Sequence, residues 1–390
     1  MAGQQFPYCT RPFIYMQEPT LEELIDPVNV FSAMHDSESG VRWKASVQSF
    51  EINTLRWASS IRNEIRDGSF KSKGFRRFDI TERGKLRHIQ AVHIEERTIQ
   101  KLLCRHALKP VIQPKLIYDN SASIENKGTQ FALKRLAEHL RWHYARYGKK
   151  GTVIVMDFHG YFDSIPHDKA IAAMCEGQSD PTIKKYIAQF IDEFDGDVGV
   201  GLGSEVSQVC AALYPTPLDK MIKEKFRIHC YGRYNDDSYI IHPDRQYAVQ
   251  CLNEIKKKAK ELGLEINERK VKIHNLASDD FVFLKKRVHL TDSGKVILRL
   301  TRANIIREEQ RIRDHMKEYN AGRMPFMTIL QSYQCWRSYA KTYNAYAAVG
   351  RMDKYFVEIM RDVIRKETNG KRINFARPDE SVLVKHKQKQ

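Results

Sequence analysis

The period of hydrophobic and polar positions changes several times along the 390-residue chain. Pro19-Thr20-Leu21-Glu22-Glu23-Leu24-Ile25 sets a hydroxyl before an acidic first turn, which predicts a helix start. Within residues 51–65, Ile52, Leu55, Trp57, Ile61 and Ile65 recur at roughly helical spacing. From Phe75 the pattern becomes strand, turn, strand, over residues 75–80, 81–84 and 85–89. Helices are predicted at 95–108, closed by Pro110, and at 132–147, the latter rich in Arg and Lys. Val153-Ile154-Val155-Met156 is a continuous apolar run, too short for a helix and typical of a strand buried on both faces. Beyond Val200 the pattern predicts a helix over about 205–226, a hairpin over 228–242, a helix over 247–262 and short strands over 264–300. Residues 303–365 read as helices with a break near 322–325, and 371–390 as a polar, basic tail. Strands interleaved with helices, followed by a helical block, predict an α+β core with a helical C-terminal module.

Composition adds bounds. With 42% hydrophobic and 29% charged residues the chain can bury a core, and its length suits two or three packed units. No apolar run approaches the roughly 20 residues that span a bilayer. The start, Met1-Ala2-Gly3-Gln4-Gln5, lacks the basic-then-apolar pattern of a secretory signal. Cysteines at 9, 104, 175, 210, 230, 251 and 335 are scattered, with no C-x-x-C pair, which argues against a disulfide framework or a zinc site. The expectation is a cytoplasmic protein without a membrane partner. A net charge of +17 and a pI near 9.4 favour a polyanionic partner, nucleic acid or an acidic membrane surface; a charge that serves only solubility is the alternative, and composition alone does not choose between them.

Two places put acid at the end of an apolar strand. Val153–Met156 runs into Asp157, and two β-prone runs flank Asn235-Asp236-Asp237. An acid pair at a tight turn is ordinary turn chemistry in many proteins. Here it is also electrostatically unfavourable unless a cation sits there. Two divalent ions held about 3.5–4 Å apart by carboxylates serve phosphoryl transfer, and Mg²⁺ suits such oxygen ligands.

The residues then carry a resemblance. Tyr234-Asn235-Asp236-Asp237 resembles the Y-x-D-D signature of reverse transcriptases, and the segment from Val155 through Asp157 to Ile165 resembles their first metal-binding motif. Gly201-Leu202-Gly203-Ser204-Glu205-Val206-Ser207-Gln208 resembles the motif that positions template and incoming nucleotide. Gly263–Lys270 and Phe281–Leu284 are similar to the next two palm motifs, and Lys85-Leu86-Arg87 with Glu96-Arg97 to the finger segment of bacterial members. The likeness keeps family order over roughly residues 75–300.

The resemblance implies a right-hand polymerase of α+β class. Its parts would be an N-terminal helical extension (1–70), fingers and palm (71–300), a helical thumb (301–370) and a basic tail (371–390). It implies two Mg²⁺ ions, with Mn²⁺ as their substitute, held by Asp157, Asp236, Asp237 and the backbone carbonyl of Phe158. Lys85, Arg87, Leu202, Gly203, Gln208 and Lys270 would bind the nucleotide, with Lys272 competing with Lys270 for the pyrophosphate. Phe162 would lie under the sugar and exclude a 2′-hydroxyl, and Phe283 and Leu284 would support the primer end. The implied partners are an RNA template, a DNA or RNA primer and dNTPs, with a structured noncoding RNA or a small helical accessory protein beside them. Tyr333, Trp336, Tyr339, Tyr343 and Tyr346 read either as thumb surface for a duplex or as helix–helix core.

Where retroviral and group II intron enzymes carry Gln-Gly-x-x-x-Ser-Pro, this chain has Leu202-Gly203-Ser204-Glu205-Val206-Ser207-Gln208. An aliphatic residue before the Gly resembles the enzymes of diversity-generating retroelements, which copy template adenines unfaithfully. An antiphage-defence enzyme tied to a noncoding RNA is the alternative role. An RNA-binding protein that kept the fold and lost catalysis is the alternative of another class. The intact Asp157, Asp236 and Asp237 speak against that last reading, because a pure binder gains nothing from clustered acids.

Overall fold

The computed structural model describes residues 20–82, 84–368, 373 and 375. The expected basic tail, apart from residues 373 and 375, and residues 1–19 lie outside them, as do the side chains of Glu82 and Lys85. The chain forms two compact units. One comprises the chain up to His139 together with Thr152–Ile273, the other Leu140–Gly151 together with the chain from His274 onward.

The first unit opens with four helices, α1 (Leu21–Leu24), α2 (Pro27–Glu38), α3 (Ala45–Ile52) and α4 (Thr54–Arg66). Thr20 and Glu23 complete a reciprocal capping box on α1, so the predicted start is correct. The helix expected at 51–65 begins at Thr54, because the chain turns at Asn53 and gives the preceding residues to α3. Strands β1 (Arg76–Glu82) and β2 (Lys85–Ala91) form the expected hairpin. Helix α5 (Ile94–Leu102) continues through a π-helical stretch, Leu103–Leu108, into α6 (Lys109–Ile112). Pro110 therefore does not close the helix. It sits in the first turn of α6, where its missing N–H costs little. Next come α7 (Thr129–Tyr147), which passes from one unit into the other, and β3 (Thr152–Met156). Val153, Ile154 and Met156 of β3 are buried, as its apolar run predicts. Helices α8 (His167–Cys175) and α9 (Pro181–Asp192) were not foreseen; Asp180 caps α9 by accepting from the Thr182 and Ile183 amides at 2.7 and 3.2 Å. The long helix expected over 205–226 is broken. It comprises α10 (Glu205–Leu213), α11 (Thr216–Lys220) and a π-helical stretch, Met221–Lys225, because Pro215 and Pro217 each remove a helical donor.

Strands β4 (Tyr231–Tyr234) and β5 (Asp237–His242) form the second predicted hairpin, followed by α12 (Arg245–Glu261) and β6 (Lys272–Asn275). The sheet order is β4-β5-β3-β6, with β5 antiparallel to both β3 and β4. In the second unit β7 (Phe281–Phe283), β8 (Lys286–Leu290) and β9 (Val296–Leu300) make an antiparallel sheet. Helices α13 (Arg302–Asn320), α14 (Phe326–Lys341), α15 (Tyr346–Ile359) and α16 (Arg361–Glu367) follow, with the predicted break at 321–325. The aromatic stripe divides: Tyr333 is buried and stacks on Phe356 at 4.3 Å, whereas Tyr339 and Tyr346 are exposed. The six described cysteines form no disulfide with one another. No helix among the described residues is long and apolar enough to cross a membrane.

One ion pair underlies the β4–β5 hairpin. Arg233 and Asp219 have no exposed side-chain surface. Asp219 accepts from Arg233 Nε at 2.9 Å, from Nη2 at 2.7 Å and from the Tyr231 hydroxyl at 2.5 Å. Arg233 also donates from Nη2 to the Ala212 carbonyl at 2.8 Å and from Nη1 to the Asn235 carbonyl at 3.2 Å. Replacing one partner strands the other charge in the core. Arg233→Met is therefore expected to lower unfolding stability by about 3–5 kcal/mol, with Arg233→Met/Asp219→Leu recovering part of the loss. Chemical denaturation of the two variants checks this, and a near-neutral Arg233→Met would contradict it.

Candidate active site

The β3–β5 register pairs Met156 with Ser238, so Asp157, one residue beyond β3, stands beside the Asp236–Asp237 end of the hairpin. Tyr234 pairs with Asp237, which leaves Asn235 and Asp236 as the two turn residues. Asn235 takes the left-handed conformation, with φ +50°, that a short polar side chain tolerates. The backbone beyond Asp157 is clamped by a bridge of Phe158 to Ile266. In it the Asn267 amide donates to the Asp157 carbonyl and the His159 amide to the Glu265 carbonyl, each at 2.8 Å.

Asp157 is 6% exposed, and both its carboxylate oxygens accept from Lys270 Nζ, at 2.8 and 2.7 Å. Burial pushes the Asp236 carboxyl above its ordinary value and the Asp157 charge adds to this, while Lys270 and Arg87 pull it back. Burial works against the Lys270 ammonium, yet the hydrogen bond and charge of Asp157, with Asp236 and Asp237, hold its pKa up. The acids at 157, 236 and 237 and the cations at 87 and 270 thus share one electrostatic site. Lys270 meets the carboxylates there, whereas Lys272 is exposed on β6.

The other anticipated residues surround this centre or lie apart from it. Phe162 is half-buried and sets its ring edge-on to Tyr161 at 5.6 Å, and Tyr161 stacks on Phe158 at 5.2 Å. The Leu202-Gly203 loop is fastened to β2, the strand that carries Arg87, by the Gln90 amide donating to the Leu202 carbonyl at 2.9 Å. Gly203 has φ +128°, and a side chain there would stand 2.5 Å from the Gln90 carbonyl oxygen, so this approach requires glycine. Gln208 is half-buried in α10, and Lys85 opens β2 with its side chain outside the described atoms. Phe283 and Leu284 belong to the second unit, Phe283 buried in β7 and Leu284 in a left-handed turn. Sequence reasoning missed Arg233, Asp219, Gln90 and Gln100. A charge inside the β-prone run 231–234 was a usable signal for Arg233, but nothing local pointed to its partner.

The expected donors, the oxygens of Asp157, Asp236, Asp237 and the backbone at Phe158, are hard and would fit Mg²⁺ or Mn²⁺ rather than a thiophilic metal. Burial and then the Asp157 charge raise the Asp236 pKa, and a divalent cation bound there would oppose both. Among the described residues no three acidic, histidine or cysteine side chains converge as a ready-made cage, and Lys270 occupies both oxygens of Asp157.

No curated protein matches this sequence. Among solved structures, telomerase from Candida albicans in complex with a fragment of telomeric RNA is similar at 11% identity and a TM-score of 0.43. The match covers 81% of this chain, which spans 66% of the telomerase chain. A family model described as reverse transcriptase (RNA-dependent DNA polymerase) matches residues 71–315, a segment that holds the β1–β2 hairpin, the Leu202-Gly203 loop and all three acids. The α+β, right-hand polymerase class expected from the sequence is the fold class of that family. Well over half of the chain lies within the match, and the chain belongs to the reverse transcriptase family.

Proposed function

We propose that the chain is an RNA-directed DNA polymerase that extends a primer with dNTPs on an RNA template. The observation that carries the reading is the meeting of Asp157, Asp236 and Asp237 with Lys270 and Arg87 at the mouth of the β3–β5 sheet. Residues 71–300 would act as fingers and palm and 301–370 as thumb. The +17 charge suits a phosphate-rich duplex bound by its backbone.

Asp157 and Asp236, with Asp237 and the Phe158 carbonyl beside them, would hold two Mg²⁺. Bound there, the metals would lower the pKa of an attacking 3′-hydroxyl and neutralise the leaving pyrophosphate. Arg87 and Lys85 on β2 would grip the triphosphate, since positioning and charge neutralisation are most of what a phosphoryl-transfer catalyst supplies. Lys270 would lend its ammonium to the pyrophosphate. Phe162 would exclude a ribose 2′-hydroxyl, Leu202, Gly203 and Gln208 would border the nascent pair, and Phe283 with Leu284 would steady the primer. Leu202 in place of Gln favours the error-prone enzymes of diversity-generating retroelements, since an aliphatic side chain offers no amide to check the pair.

Asp236→Asn keeps size and shape and removes the charge a metal ligand needs. Its primer extension with Mg²⁺ should fall by about a thousandfold or more, the kinetic equivalent of several kcal/mol of transition-state stabilisation, with RNA binding retained. Near-normal extension would remove the assignment.

Leu202→Gln restores the missing amide. A net hydrogen bond of about 0.5–1.5 kcal/mol corresponds to an error rate lowered by a few-fold to about tenfold, most visibly opposite template adenine. Sequencing cDNA made by both enzymes on one template reads the difference. Equal error spectra at preserved extension rates would make Leu202 a packing residue.

A further inference from the structure

A second pair of acids, Glu96 and Glu193, meets at a serine hydroxyl. Ser72 Oγ is 2.5 Å from Glu96 Oε2 on α5 and also meets Glu193 Oε1, just beyond α9. The same oxygen accepts from the Gly74 amide at 3.1 Å. A hydroxyl has one proton and two lone pairs, and an ionised carboxylate only accepts. Ser72 can therefore donate to one of the two carboxylates. The contact with the other lacks a hydrogen unless that carboxyl carries its own proton. With one proton added the arrangement is complete: Ser72 accepts from Gly74 and from one carboxyl and donates to the other.

Glu96 is the natural holder of that proton. It is 1% exposed, whereas Glu193 is only half-buried. Burial, together with the charge of Glu193, raises the Glu96 carboxyl to about 7 against the lowering effect of its Ser72 and Gln100 hydrogen bonds. Four cations of these segments and their neighbours pair with other acids: Lys73 with Glu95 at 3.1 Å, Lys101 and Lys109 with Glu205 at 3.2 and 2.9 Å, and Arg77 with Asp195 at 2.8 Å.

The second oxygen of Glu96 accepts from Gln100 Nε2 at 3.1 Å, and this orients the Gln100 amide. Gln100 Oε1 then accepts from Ser204 Oγ at 2.9 Å and from the Glu205 amide at 3.1 Å. Ser204 caps α10 and follows Gly203 directly. The chain of contacts runs from Glu193 through Ser72, Glu96 and Gln100 to the first residue after the Leu202-Gly203 loop.

We propose that Glu96 is a positioning residue that works in its protonated form, donating to Ser72 and, through Gln100, holding the Leu202-Gly203 loop against β2. The role in nucleotide binding rests on the polymerase reading above; the proton on Glu96 does not. Ionised Glu96 faces Glu193 across a hydroxyl with a single hydrogen. Its withdrawal from that contact takes away the partner that orients Gln100.

Glu96→Gln tests this, because a neutral amide keeps both a donor for Ser72 and an acceptor for Gln100 at every pH. In primer extension with dNTP titration from about pH 6 to about pH 8.5, the wild-type KM for dNTP should rise several-fold. The KM of the variant should stay flat near the wild-type value at low pH, with the two kcat profiles parallel. Equal KM slopes overturn the proposal. Thermal unfolding provides a measurement independent of activity. A carboxyl whose pKa is raised by folding stabilises the fold at low pH, and that stability is lost as pH rises through about 7. The wild-type Tm should therefore fall between about pH 5 and about pH 8 relative to that of Glu96→Gln. Parallel Tm curves overturn the proposal whatever the activity. Diverging Tm curves in a protein that extends no primer support the proton on Glu96 and count against the polymerase reading alone.

Discussion

A guanidinium and a carboxylate wholly withdrawn from water, Arg233 and Asp219, set the terms for the acidic hairpin. Burying such a pair is costly, and it is tolerated where every remaining donor and acceptor is satisfied. Here the Tyr231 hydroxyl and the Ala212 and Asn235 carbonyls complete the set. The Asn235 contact ties the pair to the turn itself, so Asp236 and Asp237 project from an element braced from behind. A second polar cluster backs the same strands. Asp119 meets Arg135 and Lys223 at 2.6 and 2.8 Å, its backbone carbonyl accepts from the Arg233 amide at 3.1 Å, and His139 meets the Tyr239 hydroxyl at 2.9 Å. Burial lowers the His139 pKa to about 3, so the imidazole is neutral and serves as a hydrogen-bonding spacer.

Rigidity matters because the hairpin holds like charges together. Burial and the Asp157 charge raise the cost of ionising Asp236, and Lys270 and Arg87 offset it with positive charge. The same unit solves the same problem differently at Glu96 and Glu193, where a proton replaces the cation. The contrast follows from surroundings. The aspartates lie at strand ends within reach of side chains from β2 and from the segment before β6. Glu96 is buried on α5, and Lys73 and Lys101, close to it in sequence, pair with other acids. A charged, oxygen-lined centre is suited to cations and phosphates, and a neutral relay is suited to holding a backbone in place.

Packing in the second unit shows how one aromatic pattern serves two ends. Tyr333 and Trp336 stack with their rings 5.9 Å apart and enclose a core with Phe356, while Tyr339 stays half exposed. Lys286, buried in β8, sets its ammonium over the Tyr339 and Tyr343 rings at 4.0 and 3.6 Å. Cation–π attraction of this kind compensates in part for taking an ammonium out of water.

Much of this architecture is legible in the sequence because it is encoded by neighbours. The apolar run at 153–156, the polar turns within 75–89 and 231–242, and the capping box at Thr20 all depend on residues a few positions apart. The order of acid-bearing motifs carried the family resemblance for the same reason. Local reading failed where a proline had two lawful uses: Pro110 opens a helix that it was expected to close, and Pro215 with Pro217 divides one expected to continue. Tertiary structure alone decided the pairings. Arg233 finds Asp219, Lys270 finds Asp157, and Ser72 brings Glu96 to Glu193, each across a span that no periodicity links. Which charge is neutralised by a cation and which by a proton depends on burial and on the third group nearby. Those are properties of the packed chain, set only when distant segments exclude water from one another.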